Sequence, residues 1–128
     1  MEEKASILVV DDEVYIRQLL KQVLENEGFA VTVAVDGNSA LALLVKTDPD
    51  LVLLDIRMPG PDGYEVLERI RKISNVPVLM LTGLIEETSL VHSFALGADD
   101  YIRKPVHTAA LIAKVRAKLR RCKNEPQV

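Results

Sequence analysis

A short apolar run that ends in a carboxylate and a rigid loop constrains this chain more than any other stretch. Residues 51–54 read Leu-Val-Leu-Leu, and Asp55 follows them directly. Four consecutive apolar residues are typical of a strand buried on both faces, as in a parallel sheet. The loop Met-Pro-Gly-Pro-Asp-Gly at 58–63 continues neither strand nor helix, because proline lacks an N–H group and glycine favours turns. Asp55 is therefore predicted at the tip of a buried strand, although taken alone it could equally be a helix cap or a turn residue.

Apolar runs alternate with helical periodicities along the whole chain. Runs at 6–10, 29–34, 76–81 and 100–103 predict four further strands. In the run at 76–81, Pro77 lies near the start, where a missing N–H is tolerable. Apolar residues at helical spacing predict helices over about 14–27, 39–48, 64–72, 86–96 and 108–121. Five strands that alternate with five helices predict an α/β fold with a doubly wound five-stranded parallel sheet.

Size and composition are those of one globular domain. The chain has 128 residues, of which 48% are hydrophobic, and no apolar run approaches the roughly 20 residues of a membrane span. The start, Met-Glu-Glu-Lys, lacks the apolar core of a signal peptide, and the single Cys122 excludes a disulfide framework. Basic residues concentrate in the last predicted helix, but no recognisable DNA-binding motif accompanies them. We therefore expect a cytoplasmic protein that does not associate with membranes.

Polar side chains stand at the ends of four predicted strands. Asp11 and Asp12 follow the first strand, Asp55 ends the third, Thr82 follows the fourth and Lys104 follows the fifth. In a doubly wound sheet these ends share one edge, where ligands bind. Carboxylates that lie close together repel one another unless a proton or a cation offsets their charge. An all-oxygen site of this kind suits Mg²⁺, and the lack of histidine and cysteine in it argues against zinc.

A metal ion and an ammonium group beside Asp55 would stabilise phosphoryl oxygens. Asp55 is then the candidate nucleophile that becomes an acyl phosphate, with Thr82 and Lys104 as partners of the phosphoryl oxygens. Taken singly, Thr82 is an ordinary turn residue and Lys104 a solvated lysine, so the hypothesis depends on their coincidence at one edge. The acids at 11–13 are also suited to the start of a helix, and this alternative stays open.

Short motifs that span nearly the whole chain resemble a known family. In order they are Val10-Asp11-Asp12-Glu13, Leu54-Asp55, Met58-Pro59-Gly60, Asp62-Gly63, Leu81-Thr82, Gly97-Ala98-Asp99-Asp100-Tyr101 and Lys104-Pro105. Together they resemble the receiver domain of two-component response regulators, and the set is far more specific than any one motif. The resemblance implies a flavodoxin-like fold with the strand order 2-1-3-4-5.

The resemblance also implies a reaction and a metal site. Asp55 is expected to take a phosphoryl group from a partner sensor histidine kinase. The implied Mg²⁺ is bound directly by Asp12, Asp55 and the backbone carbonyl of Arg57, while Asp11 acts largely through water. A receiver assists only its own phosphorylation and dephosphorylation, so we do not expect an enzyme with a separate substrate.

A conformational switch is the third implication of the resemblance. Thr82 and Tyr101 are expected to move together, the hydroxyl group turning toward the phosphoryl group and the aromatic ring turning inward. Lys104 pairs with another phosphoryl oxygen, and the Lys104-Pro105 peptide bond is expected to be cis, which aims the ammonium group at the site.

The last predicted helix, with Ala113-Lys114-Val115-Arg116 and the residues up to 121, resembles one subfamily in particular. Its receivers feed winged-helix DNA-binding domains in transcription regulation and dimerise through the fourth helix, fifth strand and fifth helix. We therefore expect residues 1–121 to form the receiver domain and residues 122–128 to form a tail or the start of a linker to a missing output domain. We expect a homodimer on phosphorylation and contact with DNA only through that domain. A stand-alone or phosphate-independent receiver scaffold is the alternative.

Several residues depart from the pattern of the family. Gly83 stands where alanine is frequent, Pro61 where methionine is frequent and Val106 where phenylalanine is frequent. Leu90 and Ala95 make the fourth helix more apolar than its inward face requires. These two residues predict a more hydrophobic association surface than the charged one that is usual.

Two other phosphate-handling classes fit the sequence poorly. Haloacid-dehalogenase-like phosphatases also use an aspartate at a strand end with Mg²⁺, but they require a second aspartate two residues later, where this chain has Arg57. Nucleotide-binding folds require a glycine-rich phosphate loop after the first strand, and the sequence has none there.

Overall fold

The computed structural model describes residues 4–83 and 87–124, and of residues 87–90 and 121–124 it describes the backbone only. The described residues form five strands and five helices in alternation. The strands are β1 (Ser6–Val10), β2 (Ala30–Ala34), β3 (Leu51–Asp55), β4 (Val78–Thr82) and β5 (Asp100–Arg103). The helices are α1 (Val14–Asn26), α2 (Gly37–Thr47), α3 (Gly63–Ile73), α4 (Glu87–Ala95) and α5 (Thr108–Asn124). Within these described ranges no helix is both long and apolar enough to cross a membrane.

Neighbouring strands of the sheet pair in parallel in the order β2-β1-β3-β4-β5. Val10 at the end of β1 lies opposite Leu54 of β3, so the residues that follow Val10 lie beside Asp55. From β1 the chain winds to β2 on one side and then to β3 on the other, which makes the edge beyond β1 and β3 the switch point of the sheet. The predicted flavodoxin-like α/β fold and its strand order are confirmed.

Two apolar layers cover the two faces of the sheet, because alternate residues of a strand point to opposite faces. The layer beneath α2 and α3 includes Leu8, Val10, Val52, Leu54, Met80, Leu44 and Leu67. The layer beneath α1 and α5 includes Ile7, Val9, Leu51, Leu53, Leu79, Leu20 and Leu111. Every residue of β3 is buried, as the unbroken apolar run predicted. The strand that carries Asp55 is therefore the buried central strand of the sheet.

Strand β4 begins at Val78, so the prediction of a strand from Val76 was wrong at this end. Pro77 has no N–H to donate to a neighbouring strand. The carbonyl oxygen of Val76 instead accepts a hydrogen bond from Arg71 Nη1 at 2.6 Å. The N–H of Val78 donates to Asp99 Oδ2 at 2.8 Å, which replaces a sheet partner at the first position of the strand.

Gly63 fits α3 closely against the tip of β3. The side chain of Asp62 caps this helix, since its Oδ1 accepts a hydrogen bond from the N–H of Glu65 at 3.0 Å. The N–H of Gly63 donates to the carbonyl oxygen of Ile56 at 2.8 Å. A Cβ atom on Gly63 would lie 2.6 Å from Ile56 Cα and closer still to the carbonyl oxygen of Asp55. The absence of a side chain at Gly63 thus sets how closely α3 approaches the strand end that carries Asp55.

We expect Gly63→Ala to lower the free energy of unfolding by about 3 kcal/mol, because the new methyl group meets backbone that cannot give way cheaply. Urea denaturation followed by far-UV circular dichroism measures the change. Gly83→Ala is the matched control, since a Cβ atom there meets nothing within 4 Å. Equal stability of the two variants would contradict the packing argument.

Candidate functional site

Three carboxylates meet at the carboxyl edge of the sheet. Asp11 and Asp12 follow β1, and Asp55 is the last residue of β3. Each offers an oxygen atom, and these atoms all lie within 4.8 Å of one another. Asp11 is fully buried and Asp55 is 4% exposed, whereas Asp12 is exposed. The parallel pairing of β1 with β3 brings together the residues that the sequence placed at separate strand ends.

Lys104 brings an ammonium group to these carboxylates from β5. Its Nζ lies 3.0 Å from Asp11 Oδ2 and 3.3 Å from Asp55 Oδ1. Its backbone N–H donates to the carbonyl oxygen of Thr82 at 2.8 Å, which ties the end of β5 to the end of β4. The peptide bond between Lys104 and Pro105 is cis. The structure therefore brings together Lys104, Asp11, Asp12 and Asp55.

One oxygen of Asp11 is buried without a hydrogen bond. Asp11 Oδ1 accepts a hydrogen bond from the N–H of Glu13 at 2.9 Å. Asp11 Oδ2 lies near Lys104, but among the described residues no group donates a hydrogen bond to it, so the contact is an ion pair without hydrogen-bond geometry. A buried carboxylate oxygen in this state is costly unless a cation compensates it.

These residues fit a magnesium ion. Asp11, Asp12 and Asp55 supply only oxygen atoms, and Mg²⁺ prefers a few carboxylates together with waters. The incompletely satisfied oxygen of Asp11 and the exposure of Asp12 fit a cation that keeps part of its water shell. Arg57 lies beside the cluster, since its N–H donates to Asp55 Oδ1 at 3.4 Å. The role of its carbonyl group as a ligand stays a prediction.

Burial and the charge of Asp11 raise the pKa of Asp55 to about 6, although Lys104 and the N–H of Arg57 act in the opposite direction. Burial alone would lower the pKa of Lys104. The close ionic contact with Asp11 and the charges of Asp55 and Asp11 outweigh burial, so the pKa of Lys104 is raised above its usual range. At neutral pH Lys104 is therefore a cation, and Asp55 is mostly ionised and able to act as a nucleophile.

A pocket of about 250 Å³ opens above Asp55. Its lining consists of Glu13, Asp55, Ile56, Arg57, Leu81, Thr82, Gly83 and Lys104. Thr82 is the last residue of β4 and is 2% exposed. The pocket thus places Thr82, Lys104 and Asp55 around one small volume, where a hydrogen-bond donor and a cation can stabilise an anionic group.

Tyr101 lies apart from this pocket. It is half-buried on β5, and its ring centroid lies 6.4 Å from that of Phe94 on α4. Lys114 on α5 places its Nζ 4.7 Å from the centroid of the same ring and donates to the carbonyl oxygen of Tyr101 at 2.6 Å. The residue therefore connects β5 with α4 and α5, and its predicted movement with Thr82 stays a prediction.

Glu13 is the site residue that the sequence did not single out. The residue occupies the N-cap position of α1, but its side chain makes no capping hydrogen bond. Its Oε1 lies 3.6 Å from Lys104 Nζ instead, at the mouth of the pocket. The capping alternative for the acids at 11–13 is therefore wrong for this side chain. The run Asp-Asp-Glu was the only available signal, and it did not tell which of the acids face the site.

We expect Asp55→Asn to raise the free energy of unfolding by about 1–2 kcal/mol at about pH 7.5 in EDTA-containing buffer, after allowance for solvent screening at the pocket mouth. The pKa of Asp55 is about 6 in the folded chain, against an ordinary value of 3.8 for an aspartate. The folded chain therefore binds more protons between these values, and wild-type stability falls as pH rises through this window. The advantage of the variant should vanish below about pH 4.

Urea titrations at several pH values test this prediction, with Glu68→Gln as the control, since Glu68 is an exposed carboxylate within α3. Magnesium ions should stabilise the wild-type chain and abolish the difference, because a ligand that binds only the folded state stabilises it. A variant that is no more stable than wild type at high pH, without metal, would contradict the repulsion argument.

Comparisons with known proteins identify the family of the chain. A family described as the response regulator receiver domain matches residues 7–116. A CheY-like receiver domain protein from Methanospirillum hungatei is 34% identical with a TM-score of 0.91, over 97% of this chain and 100% of that one. Chemotaxis protein CheY4 from Vibrio cholerae is 31% identical with a TM-score of 0.85, over 90% of this chain and 98% of that one.

The BeF3-activated N-terminal receiver domain of RstA from Klebsiella pneumoniae is also similar. It is 34% identical with a TM-score of 0.86, and the match covers 90% of this chain and 98% of that one. The match at 7–116 includes every site residue from Asp11 to Lys104. The chain belongs to the receiver domain family of two-component response regulators.

Proposed function

We propose that this chain is a phosphoacceptor signalling domain in which Asp55 takes a phosphoryl group from a sensor histidine kinase. The observation that carries the proposal is the convergence of three carboxylates and Lys104 around one small pocket at the switch point of the sheet. Phosphoryl transfer needs mainly positioning and charge neutralisation, and this pocket offers both. Family membership supports the same conclusion, because accepting a phosphoryl group is the general role of receiver domains.

Asp55 acts as the nucleophile in this proposal. One of its carboxylate oxygens forms a bond to phosphorus while the bond from phosphorus to the donor nitrogen or oxygen breaks, and the leaving group keeps the electron pair. Lys104, already 3.3 Å from Asp55 Oδ1, pairs with an oxygen of the transferred group. The hydroxyl group of Thr82 donates a hydrogen bond to another oxygen.

The metal site is part of the proposal. Asp12, Asp55 and the backbone carbonyl of Arg57 would hold Mg²⁺, with Asp11 acting largely through water. When bound, the ion supplies positive charge that neutralises the phosphoryl oxygens. Asp12 is suited to direct contact because it is the exposed member of the cluster. The buried Asp11 is held by the N–H of Glu13 and by Lys104.

The proposed switch joins the pocket to the surface of α4, β5 and α5. Thr82 and Tyr101 lie on adjacent parallel strands, with Thr82 opposite Arg103, two residues after Tyr101. A shift of Thr82 toward the phosphoryl group would free space for the ring of Tyr101 to turn inward. Since this ring contacts Phe94 and Lys114, such a movement would change the surface that α4 and α5 present.

The wider biological role is proposed on the resemblance of the last helix. We propose a transcription regulator of the subfamily with winged-helix output domains, which reaches DNA only through such a domain and acts in the cytoplasm. Residues 1–121 would form the receiver and residues 122–128 a tail or the start of a linker. Helix α5 runs to Asn124, so the described helix continues into that segment. The chain changes its own state and acts on no separate substrate, which fits a signalling domain and not an enzyme.

Incubation with Mg²⁺ and acetyl phosphate should add one phosphoryl group per chain, because a small donor can reach Asp55 through the open pocket. Intact mass spectrometry at once after mixing measures the adduct. The adduct should be absent from Asp55→Asn, absent in EDTA and unchanged in Asp48→Asn.

An adduct that persists in Asp55→Asn would refute the assignment of the acceptor. If acetyl phosphate gives no adduct, binding of beryllofluoride followed by fluorine NMR is the second measurement, since some receivers accept a phosphoryl group only from their kinase. Failure of both would favour the alternative of a phosphate-independent scaffold.

We expect a homodimer of the activated chain that depends little on salt, because exposed apolar residues lie on α4. Val91 is 61% exposed and Phe94 is 47% exposed, and Ala95 is exposed as well. The side chain of Leu90, which the sequence also assigned to this surface, lies outside the described residues. Apolar contacts are insensitive to screening, whereas ion pairs are not.

Sedimentation equilibrium with beryllofluoride, at about 0.1 M and about 0.5 M salt, measures the dimer constant. Val91→Ser should weaken the dimer about fivefold, while Val45→Ser, which changes an exposed valine on α2, should leave it unchanged. A dimer that moderate salt abolishes would contradict the hydrophobic surface.

A further inference from the structure

The side chain of Glu13 neither caps the helix that it precedes nor packs into the interior of the protein. Its backbone has the extended conformation of an N-cap residue, with φ −88° and ψ 120°, yet its carboxylate makes no capping bond. Serine, threonine, aspartate and asparagine are the usual residues at this position, because their shorter side chains reach the free N–H groups. A glutamate here breaks a local preference, and such exceptions concentrate at functional sites.

The backbone of Glu13 is fixed relative to the site. Its N–H donates to the buried Oδ1 of Asp11 at 2.9 Å, and its carbonyl oxygen accepts a hydrogen bond from the N–H of Arg17 at 3.1 Å. Arg17 Nη1 in turn donates to the carbonyl oxygen of Asp11 at 2.8 Å. Hydrogen bonds therefore fix the backbone of Glu13 beside the pocket, while its carboxylate is exposed to solvent.

Lys104 is shared unequally by three carboxylates. Asp11 and Asp55 lie 3.0 and 3.3 Å from its Nζ and are buried, whereas Glu13 lies 3.6 Å away with 62% of its side chain exposed. An exposed ion pair at this distance contributes little to the stability of the fold. The charge of Glu13 therefore acts on the electrostatic potential at the mouth of the pocket and contributes little to the free energy of unfolding.

Glu13 supplies the second carboxylate that lines the pocket, in addition to Asp55 itself. Because both groups contact the same ammonium group, their oxygens lie no more than about 7 Å apart, within a Debye length at physiological salt. An incoming phosphodonor must place its phosphorus beside Asp55 and its leaving group toward the mouth. The leaving group consequently passes the negative charge of Glu13.

We propose that Glu13 is a specificity-determining residue that selects phosphodonors by charge. It disfavours donors whose leaving group departs as an anion and favours donors whose phosphorus is bound to a protonated nitrogen. A kinase phosphohistidine belongs to the second class when its ring is protonated, and acyl phosphates belong to the first. The inference rests on the proposed role of Asp55 and adds to it a reason why the acceptor would discriminate between sources of phosphoryl groups.

Two small phosphodonors, one from each class, transfer a phosphoryl group to Asp55 and differ in their leaving group. With acetyl phosphate, the bond from Asp55 to phosphorus forms as the bond from phosphorus to the acyl oxygen breaks, and acetate leaves. With phosphoramidate, the bond from phosphorus to nitrogen breaks and ammonia leaves, because the nitrogen of the zwitterionic donor already carries the proton. Acetyl phosphate is a dianion at neutral pH, whereas phosphoramidate is mainly a monoanion with a cationic nitrogen.

Rate constants for both donors should be measured in saturating Mg²⁺ for wild type and Glu13→Gln. We expect the variant to shift the ratio of the two rate constants about threefold in favour of acetyl phosphate at low salt. The shift should shrink toward unity at about 0.5 M salt, because the charge of Glu13 is exposed to screening. Glu68→Gln, which makes the same chemical change at an exposed position of α3, should leave the ratio unchanged.

Calorimetry of Mg²⁺ binding is the readout that does not depend on turnover, and we expect Glu13→Gln to change the affinity less than about threefold. An unchanged ratio would overturn the inference. Equal changes of the two rate constants would also overturn it, because they would indicate that Glu13 positions Lys104. A large loss of Mg²⁺ affinity would overturn it as well, because it would assign Glu13 to the metal site.

Failure of the proposed function gives a different result. In that case the wild-type chain forms an adduct with neither donor and binds no beryllofluoride, and the inference about Glu13 falls with it. If wild type binds beryllofluoride but reacts with neither small donor, the comparison moves to this anion. Glu13→Gln should then bind it about threefold more tightly at low salt only, and equal affinity for wild type and variant would overturn the inference.

Discussion

Repulsion between the buried carboxylates Asp11 and Asp55 is the constraint on which the rest of the site depends. Burial and the nearby charge of Asp11 both disfavour the ionised form of Asp55, and together they raise its pKa. Lys104 offsets the repulsion from β5 and retains its own charge because both anions surround it. The site therefore holds an ionisable carboxylate beside a cation, and a divalent ion or a phosphoryl group bound there would change this balance of charges.

Close packing around the strand ends keeps these charged groups in place. β3 is buried along its whole length, and Gly63 lets the start of α3 approach the backbone of Asp55 and Ile56. Away from the pocket, Arg71 holds together the loops that precede β4 and β5. Its guanidinium group donates to the carbonyl oxygens of Val76 and Gly97 and pairs with the carboxylate of Asp99. The two strands that carry Thr82 and Lys104 are thus fixed at their beginnings, while their ends line the pocket.

The charged groups of the site differ in their exposure to solvent, and this difference determines how strongly they interact. The buried Asp11 and Asp55 interact strongly with each other and with Lys104, because charges in a low-dielectric interior are poorly screened. The exposed Glu13 and Asp12 contribute little to stability. They can instead act on what arrives from solvent, which is a metal ion for Asp12 in the proposed function and a phosphodonor for Glu13. Tyr101 and its contacts with Phe94 and Lys114 lie apart from these groups, on the surface that the proposed switch would change.

The sequence by itself determined the alternation of strands and helices, the burial of β3 and the strand ends that carry Asp11, Asp55, Thr82 and Lys104, because hydrophobic periodicity and turn residues are local signals. It misplaced the start of β4, since the N–H of Val78 donates to the side chain of Asp99, which is distant in sequence, and not to a neighbouring strand. Only the tertiary structure decided that Lys104 reaches both buried carboxylates and that Glu13 turns to Lys104 instead of capping α1. Distances and burial across three strands depend on packing, which no local pattern encodes.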